Sequence, residues 1–545
     1  MKLAILSNVN LDMLLEDLSR KHDVFQTEGY GQWATYALSP NEELIRFAPE
    51  LLLMWIDGNA LLESCVDETS GIAEIDTAFR LIGKLIENYP HCRIAVSNLD
   101  VRRERISPAC APDLALRWEA AWEQRLSELA VERGVIPFDL KGIIEDEGRK
   151  RIYSDKLWYT GSIPYGIKSL KPFESALELL TKQCAMVRKK VLVLDLDNTL
   201  WGGVVGEDGA HGIVLSESLQ GAAYRDAQKR ILEIKNTGAV LAIASKNNLE
   251  DVQAAFRDNP HMVLKESDFV SMKINWDPKP VNIQAMAKEL NLGLDSFVFL
   301  DDNEVEREAV RQALPEVTVA DFPSDPAMLP ETIHQIYEQY FWCARPTAED
   351  AARTAQYQQE AERKQALNAA VSMEDYLRSL EIRVAINPVR PEQYERTVQL
   401  LNKTNQFNTN TVRMDMQQFL SYLEDDRHQV YVANVSDRYG DSGLVSILLT
   451  KADGEALTVE NFLMSCRVMG RQIENSIIAA LAEHAVGQGI AQLEASFVPT
   501  AKNKPVEQLW DRLSFELISD QNGEKHYVCR LPLHTETVVK AEWSE

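Results

Sequence analysis

At 545 residues the chain is too long for one hydrophobic core and calls for roughly three or four folding units. Its 57 basic and 83 acidic residues leave a net charge of -26, which excludes non-specific binding to nucleic acid or to an anionic membrane surface. Seven scattered cysteines without a CxxC pair, too short an apolar run at the amino terminus for a signal peptide and no stretch of roughly 20 apolar residues predict a cytoplasmic protein with reduced thiols.

Residues 1–180 alternate apolar strands, at 3–7, 51–57 and 93–98, with amphipathic helical patterns, which predicts a parallel α/β domain. Polar residues fall where those strands end: Ser7 and Asn8, Asp57, Ser97 and Asn98. This arrangement resembles the SGNH-hydrolase fold. That resemblance implies a nucleophilic serine after the first strand and a late Asp-x-x-His segment as its base. Here the late segment is Asp155-Lys156-Leu157-Trp158, and a serine without a base is a weak nucleophile. Ser7 is therefore expected to serve a turn or helix cap, in a non-catalytic domain that positions or recognises a partner.

A helix at 173–188 leads into a second α/β unit, residues 187–335, with strands at 191–194, 240–244 and 297–300 and a helix at 221–236. From 345 to 380 the composition shifts to Ala, Gln, Glu and Arg, which predicts exposed helices linking two domains. Residues 381–545 form a third unit of α+β type, with strands at 430–435, 444–450 and 457–463 and a helix at 474–486. No internal repeat is present.

The chemistry concentrates in the second unit. Four apolar residues, Val191 to Leu194, run into Asp195-Leu196-Asp197-Asn198-Thr199, and ligands in open α/β sheets bind at the carboxyl ends of strands. Acids at i and i+2 of an extended segment point to one side and crowd negative charge unless a cation lies between them. Ser245 ends the next apolar strand, Lys279 stands in the rigid turn Asp277-Pro278-Lys279-Pro280, and Asp301-Asp302-Asn303 follows a third strand. Together they read as a phosphoryl-transfer site in which a hard cation and Lys279 neutralise the phosphate, one carboxylate attacks and another moves a proton. The stretch from Trp201 to Gly209 is expected to form a glycine-rich flap beside it.

These four segments, in this order, resemble the haloacid-dehalogenase (HAD) superfamily. The resemblance implies a Rossmann-like fold and magnesium. It makes Asp195 the nucleophile and Asp197 the general acid and base, gives phosphate binding to Thr199, Ser245 and Lys279, and completes the metal site from Asp195 and Asp197 with Asp301 and Asp302. The interval from Asp197 to Ser245 and that from Ser245 to Asp301 are too short for a large cap, so the open site suits a large or protein-borne substrate.

Four further stretches, Asp197 to Gly206, Ile274 to Lys279, Asn402 to Asn408 and Met464 to Arg471, are similar over essentially the whole chain to the FkbH-like family. That family joins an SGNH-like front, a HAD subfamily IIIC phosphatase domain and an acetyltransferase-like (GNAT) tail. The resemblance implies natural-product biosynthesis of the polyketide type with an acyl or peptidyl carrier protein and its phosphopantetheine arm. The family's best-known activity loads a glyceryl group from 1,3-bisphosphoglycerate, a phosphorylated three-carbon substrate, onto that arm. The glyceryl-loading members are expected to carry a cysteine between the two aspartates, where this chain has Leu196. Alternatives are removal of phosphate from a carrier-tethered intermediate, or a non-catalytic scaffold for the carrier protein. In the tail, Arg467, Gly470 and Arg471 mark a possible pantetheine or coenzyme A site at a helix start, and the polar segments 402–408 and 499–503 suit either binding or turns. A basic patch at Arg102, Arg103 and Arg105 is a candidate for meeting the carrier protein. Cys466 is expected to be a small buried residue.

Overall fold

Alternate residues of the first strand enter two different cores, Ala4 and Leu6 one and Leu3 and Ile5 the other, because successive side chains of a strand point to opposite faces. In the computed structural model, which describes residues 2–25, 31–102, 110, 113–346, 348–370, 372–535 and 537–544, that strand is β1 (Lys2–Ser7). It belongs with β2 (Asp23–Phe25), β3 (Leu51–Trp55), β4 (Arg93–Ser97) and β5 (Ile136–Phe138) to one sheet, of order β2-β1-β3-β4-β5. Every pair in it is parallel. The helices Glu68–Asn88 and Leu114–Arg133 supply Ile75, Ile82, Trp118 and Trp122 to one core, and Leu170–Ala185 supplies Phe173 and Leu177 to the other. A sheet covered on both faces needs strands apolar throughout, as the fully buried β3 is.

At the carboxyl ends of these strands the polar residues serve turns and loop contacts. Ser7 Oγ accepts from the Val9 amide at 3.2 Å, and the Asn8 side chain holds the Asp57 backbone, accepting from its amide at 2.8 Å and donating to its carbonyl at 2.9 Å. Arg102, from the expected basic patch, donates to Asp155 at 2.8 Å. Arg103 and Arg105 lie outside the described residues. Trp158 packs against the core.

The second sheet comprises β6 (Val191–Leu194), β7 (Val240–Ser245), β8 (Phe269–Ile274), β9 (Phe297–Leu300) and β10 (Thr318–Val319). Its order is β10-β9-β6-β7-β8, again all parallel. The intervals between the site segments hold core elements: the helix Leu219–Asn236 after β6, and Leu249–Asp258, β8 and Lys279–Leu290 after β7. Both sheets belong to one compact unit, residues 1–354; residues 355–545 form another.

The second unit is α+β. Its strands are β11 (Arg383–Pro388), β12 (His428–Asp437), β13 (Gly440–Asp453), β14 (Ala456–Met464), β15 (Gln492–Phe497), β16 (Glu516–Gln521), β17 (Glu524–Arg530) and β18 (Ala541–Trp543). They form one sheet in the order β16-β17-β15-β14-β13-β12-β11-β18, antiparallel except at β14–β15 and β11–β18. The helix Ile473–Gly487 covers it with Ile473, Ile477, Ile478 and Leu481.

The stretch expected to be an exposed linker departs from that reading. Arg363, in the helix Ala348–Ala369, is buried and grips Asp437 with two hydrogen bonds of 2.7 and 2.9 Å. Tyr376, Leu377 and Leu380 form a small core of their own. The division between the units falls inside that long helix, because its second half is tied down by a buried charge that composition alone does not reveal. Among the described residues no helix is long and apolar enough to cross a membrane.

Candidate active site

The carboxyl ends of β6, β7 and β9 converge on one buried cluster. Asp195 continues the backbone register of β6, its amide donating to Leu300 O at 3.0 Å. Lys279 begins the helix Lys279–Leu290 and is buried. Its Nζ lies 3.0 Å from Asp195 Oδ1 and also bonds Asp301 Oδ2. The turn that delivers Lys279 is fixed by a reciprocal amide pair, Asn275 with Asn282, at 2.9 and 3.2 Å, and by the Asn275 amide donating to Ser245 O at 3.2 Å.

Oxygens of Asp195, Asp301 and Asp302 all lie within 4.8 Å of one another. Burial pushes the Asp195 carboxyl up to about 6, with Lys279 pulling it back and Asp301 pushing it further up. Burial also raises Asp301 and Asp302, the latter helped by the charge of Asp195. For Lys279 burial is the largest single influence and acts downward, yet the carboxylates of Asp195 and Asp301 together outweigh it and the ammonium is held above its usual range. Two buried acids, a half-buried third and one lysine leave excess negative charge. A hard divalent cation with oxygen preference fits that donor set.

Asp197 is treated differently. Its Oδ1 accepts from Trp201 Nε1 at 2.9 Å and from the Val205 amide at 3.0 Å, and its Oδ2 from Asn247 Nδ2 at 3.0 Å. Its carboxylate is not among the three grouped acids, so the side-chain metal set of four expected from sequence reduces to three here. The stretch expected to be a flap is instead a fixed turn. Trp201 and Val205 sit in the hydrophobic core, and Gly203 takes a positive φ of 88° while its amide donates to Asn198 Oδ1 at 2.9 Å, a conformation natural to glycine.

Ser245 is buried beside Asp195, whose carboxyl its hydroxyl helps to hold down; Asn247 Nδ2 reaches that hydroxyl at 3.1 Å. Thr199 Oγ1 accepts from the Asp302 amide at 3.2 Å, linking the first and last loops. Leu196 is fully buried in the core that holds Leu194 and Leu200. Asn247 and Arg307 went unremarked in the sequence, and Trp201 figured there only as the start of the flap stretch. Arg307, in the helix Glu304–Ala313, donates from Nη1 to the carbonyls of Asp301 and Asp302 at 2.6 and 2.9 Å. Only the spacing of Asn247 two residues after Ser245 carried a signal.

The candidates in residues 355–545 are engaged within that unit. Arg471, 4 % exposed, bonds Asp437 at 3.0 Å, Glu360 at 3.1 Å and the Arg467 carbonyl at 2.7 Å. Arg467 reaches Gln356 at 3.2 Å. Gly470 has a φ of 80° and turns the chain between them. The side chain of Cys466 lies outside the described residues.

β14 and β15 pair only from Ala456–Gln492 to Val459–Ala495 and then diverge, and the segment Phe407 to Thr409 fills the gap. Thr409 N donates to Phe462 O and Met464 N to Phe407 O, both at 3.0 Å, while Val498 N donates to Thr409 O at 2.9 Å. Asn503 Nδ2 donates to Asn408 O at 2.9 Å. The two polar segments therefore meet each other inside the fold. A separate cavity of about 400 Å3, lined by Tyr89, Cys92, Arg93, Cys184 and Trp342 among others, lies at the opposite, amino-terminal edge of the first sheet and takes no part in the acid cluster.

No family model matches the chain, and no curated protein matches it. Among solved structures, the chain is similar to the N-terminal part of the protein BF1531 from Bacteroides fragilis, which contains a phosphatase domain and was complexed with Mg. The identity is 28%, the TM-score 0.52, and the match covers 63% of this chain and 94% of that one. The ribosomal-protein-S18-alanine N-acetyltransferase from Escherichia coli matches 28% of this chain and 96% of its own at 12% identity and a TM-score of 0.22. At those values the second likeness bears on neither fold nor chemistry of the third domain.

Proposed function

We propose that the chain is a magnesium-dependent phosphohydrolase or phosphotransferase of HAD type, with Asp195 as nucleophile and Asp197 as general acid and base. The observation that carries this is the buried grouping of Asp195, Asp301 and Asp302 within 4.8 Å around Lys279. The BF1531 fragment, whose phosphatase domain was complexed with Mg, supports magnesium as the cation that Asp195, Asp301 and Asp302 would hold. Bound there, the cation neutralises phosphate charge and lets Asp195 remain ionised.

In the first step an oxygen of Asp195 attacks phosphorus, the bond from phosphorus to the leaving oxygen breaks, and that oxygen takes a proton from Asp197. In the second step water attacks the aspartyl phosphate, Asp197 takes the water's proton, and inorganic phosphate departs. Lys279 and the Ser245 hydroxyl hold the phosphoryl oxygens through both steps. The donors Trp201, Val205 and Asn247 fix the orientation of Asp197, so that little reorganisation accompanies proton transfer. Asp195→Asn is expected to abolish phosphate release from acetyl phosphate with Mg2+ while the protein stays folded; retained turnover would end this reading.

The substrate we infer is borne by an acyl or peptidyl carrier protein, as the FkbH-like motifs imply, and the lack of any cap between the site segments suits a large substrate. Burial of Leu196 weighs against one version of this reading, acyl storage beside the nucleophile. A side chain at that position enters the core, away from the acids, so acyl storage there is unfavourable. Either the carrier thiol attacks the carbonyl carbon of the glyceryl phosphate anhydride, forming the thioester as the bond from that carbon to the phosphate oxygen breaks and phosphate leaves, or the enzyme removes phosphate from a carrier-tethered intermediate by way of Asp195. Intact-mass spectrometry of a cognate carrier protein separates the two: a glyceryl gain with 1,3-bisphosphoglycerate supports loading, and loss of phosphate from a phosphorylated carrier supports hydrolysis.

A further inference from the structure

Of the ten tryptophans in the chain, nine are buried or half-buried, and Trp276 is 70 % exposed. It stands at the mouth of the acid cluster, two residues beyond Ile274, which pairs with Ser245, and three before Lys279. A lone exposed apolar side chain on a surface needs no explanation, but this one is held in place. The Asn275–Asn282 amide pair and the Asn275 contact to Ser245 O fix the backbone beside it. The indole Nε1 donates to Asn248 Oδ1 at 3.3 Å, which ties the ring to the loop following Ser245.

The neighbouring helix starts add to the same shoulder. Leu249 opens the helix Leu249–Asp258 and Val281 lies in the first turn of Lys279–Leu290, and both are about half exposed. On the opposite side of the site, β9 is followed by Asp302, Asn303 and Glu304. The β7–β8 side thus carries an exposed aromatic face with two apolar neighbours, whereas on the β9 side Glu304 is paired with Arg307 and Arg311. A phosphate drawn to Lys279 and Ser245 leaves the rest of its molecule to emerge past one of these sides, and the aromatic side offers it the broader contact surface.

Resting on the phosphatase reading above, we infer that Trp276 is a specificity-determining residue that receives the leaving group of the substrate and selects a flat or apolar one over a small polar one. The ring offers a face for stacking or for packing against methylene and amide groups. Leu249 and Val281 extend the same surface.

The test compares p-nitrophenyl phosphate, whose leaving group is an aromatic ring, with acetyl phosphate, whose leaving group is small. For Trp276→Ala the ratio of the two kcat/KM values, aryl over acetyl, is expected to fall about tenfold, the size of one lost aromatic contact, chiefly through KM for the aryl substrate. Trp276→Phe, which keeps a ring and loses the hydrogen bond to Asn248, is expected to restore most of the ratio. A ratio unchanged in Trp276→Ala overturns the inference, as does a fall that phenylalanine does not rescue, since both leave Trp276 a structural tie to Asn248. Failure of the wild-type protein to turn over acetyl phosphate would instead remove the phosphatase reading, and this inference with it.

Discussion

Trp201 donates its indole N–H to Oδ1 of Asp197 at 2.9 Å from a ring fully buried in the core. The orientation of the proposed proton-transfer group is therefore set by the packing of the domain itself. The same oxygen accepts from the Val205 amide, and the other oxygen from Asn247. Trp201→Phe keeps an aromatic ring in the core and removes one donor. A hydrogen bond to a charged group is worth about 1.5–3 kcal/mol, so kcat for phosphate release is expected to fall about tenfold to a hundredfold with a smaller change in KM. Asn247→Ala should fall in the same range. Steady-state kinetics on protein with a verified melting transition check both.

Asp195 is stored in a state that disfavours its charge. Burial raises its carboxyl to about 6, above the ordinary value of about 3.9. An acid whose folded-state value is raised leaves stability intact below the unfolded value, about pH 4, and stability is lost as pH rises through the folded value, about pH 6. Without divalent cations Asp195→Asn is therefore expected to be more stable than the parent at pH 7, by up to about 3 kcal/mol, and the difference should shrink between about pH 6 and pH 4. Saturating Mg2+ should narrow the gap at pH 7, because it favours the ionised carboxylate. Thermal unfolding across that pH range, with and without Mg2+, decides it; a parent protein more stable than the variant in metal-free buffer at pH 7 would contradict it.

The second sheet was legible because β6, β7 and β9 are short, wholly apolar runs, each ending in a polar residue that belongs to the site. β8 was not, since Ser271 and Lys273 interrupt its pattern at the edge of the sheet, and β2 and β5 are three residues long, too short for periodicity to register. Within the site, Asp195, Ser245, Lys279 and Asp301 announced themselves by type and position. Trp201 did not, because a tryptophan in an apolar run reads as core, and it is core; only its one polar atom has the second task. The pairing of Arg363 and of Arg471, the latter read from sequence as a binding residue, was hidden for the opposite reason, since their carboxylate partner, Asp437, lies far away in sequence.

That partner makes the third domain sensitive to acid. Burial alone would raise the Asp437 carboxyl, but hydrogen bonds and charge from Arg363, with Arg471 adding to them, hold it below the usual carboxylate range. A depressed acid contributes stability above its unfolded value that is lost as pH falls through the folded one, so this contribution disappears below about pH 4. Asp437→Asn leaves two buried guanidiniums without their shared carboxylate and is expected to cost about 3–5 kcal/mol at neutral pH. In urea unfolding the gap between variant and parent should narrow at about pH 3.5; a gap that stays constant would mean that Asp437 acts by packing rather than by charge.

The same network bears on what the third domain can bind. A pantetheine arm carries amides and could add to the free edge of a strand as a peptide does, and the edge that β14 presents where it leaves β15 is the natural place. That edge is already paired with the chain's own Phe407 to Thr409. The helix start beyond it offers little to a pyrophosphate, because Arg471 is buried against Asp437 and Glu360, and Glu474, itself buried, places a carboxyl in the first turn, where it occupies the positive end of the helix dipole. Filling of the gap and neutralisation of the arginines are separate obstacles, and either alone would weaken binding. Millimolar coenzyme A is therefore expected to leave the unfolding temperature of the full-length protein unchanged, and acetyl-coenzyme A to acetylate no added amine or thiol. A cooperative unfolding transition for the unit of residues 355–545 serves as proof that it is folded. A saturable rise in unfolding temperature with coenzyme A would show that Phe407 to Thr409 can be displaced from β14, and would return the third domain to the acyl-transferring class.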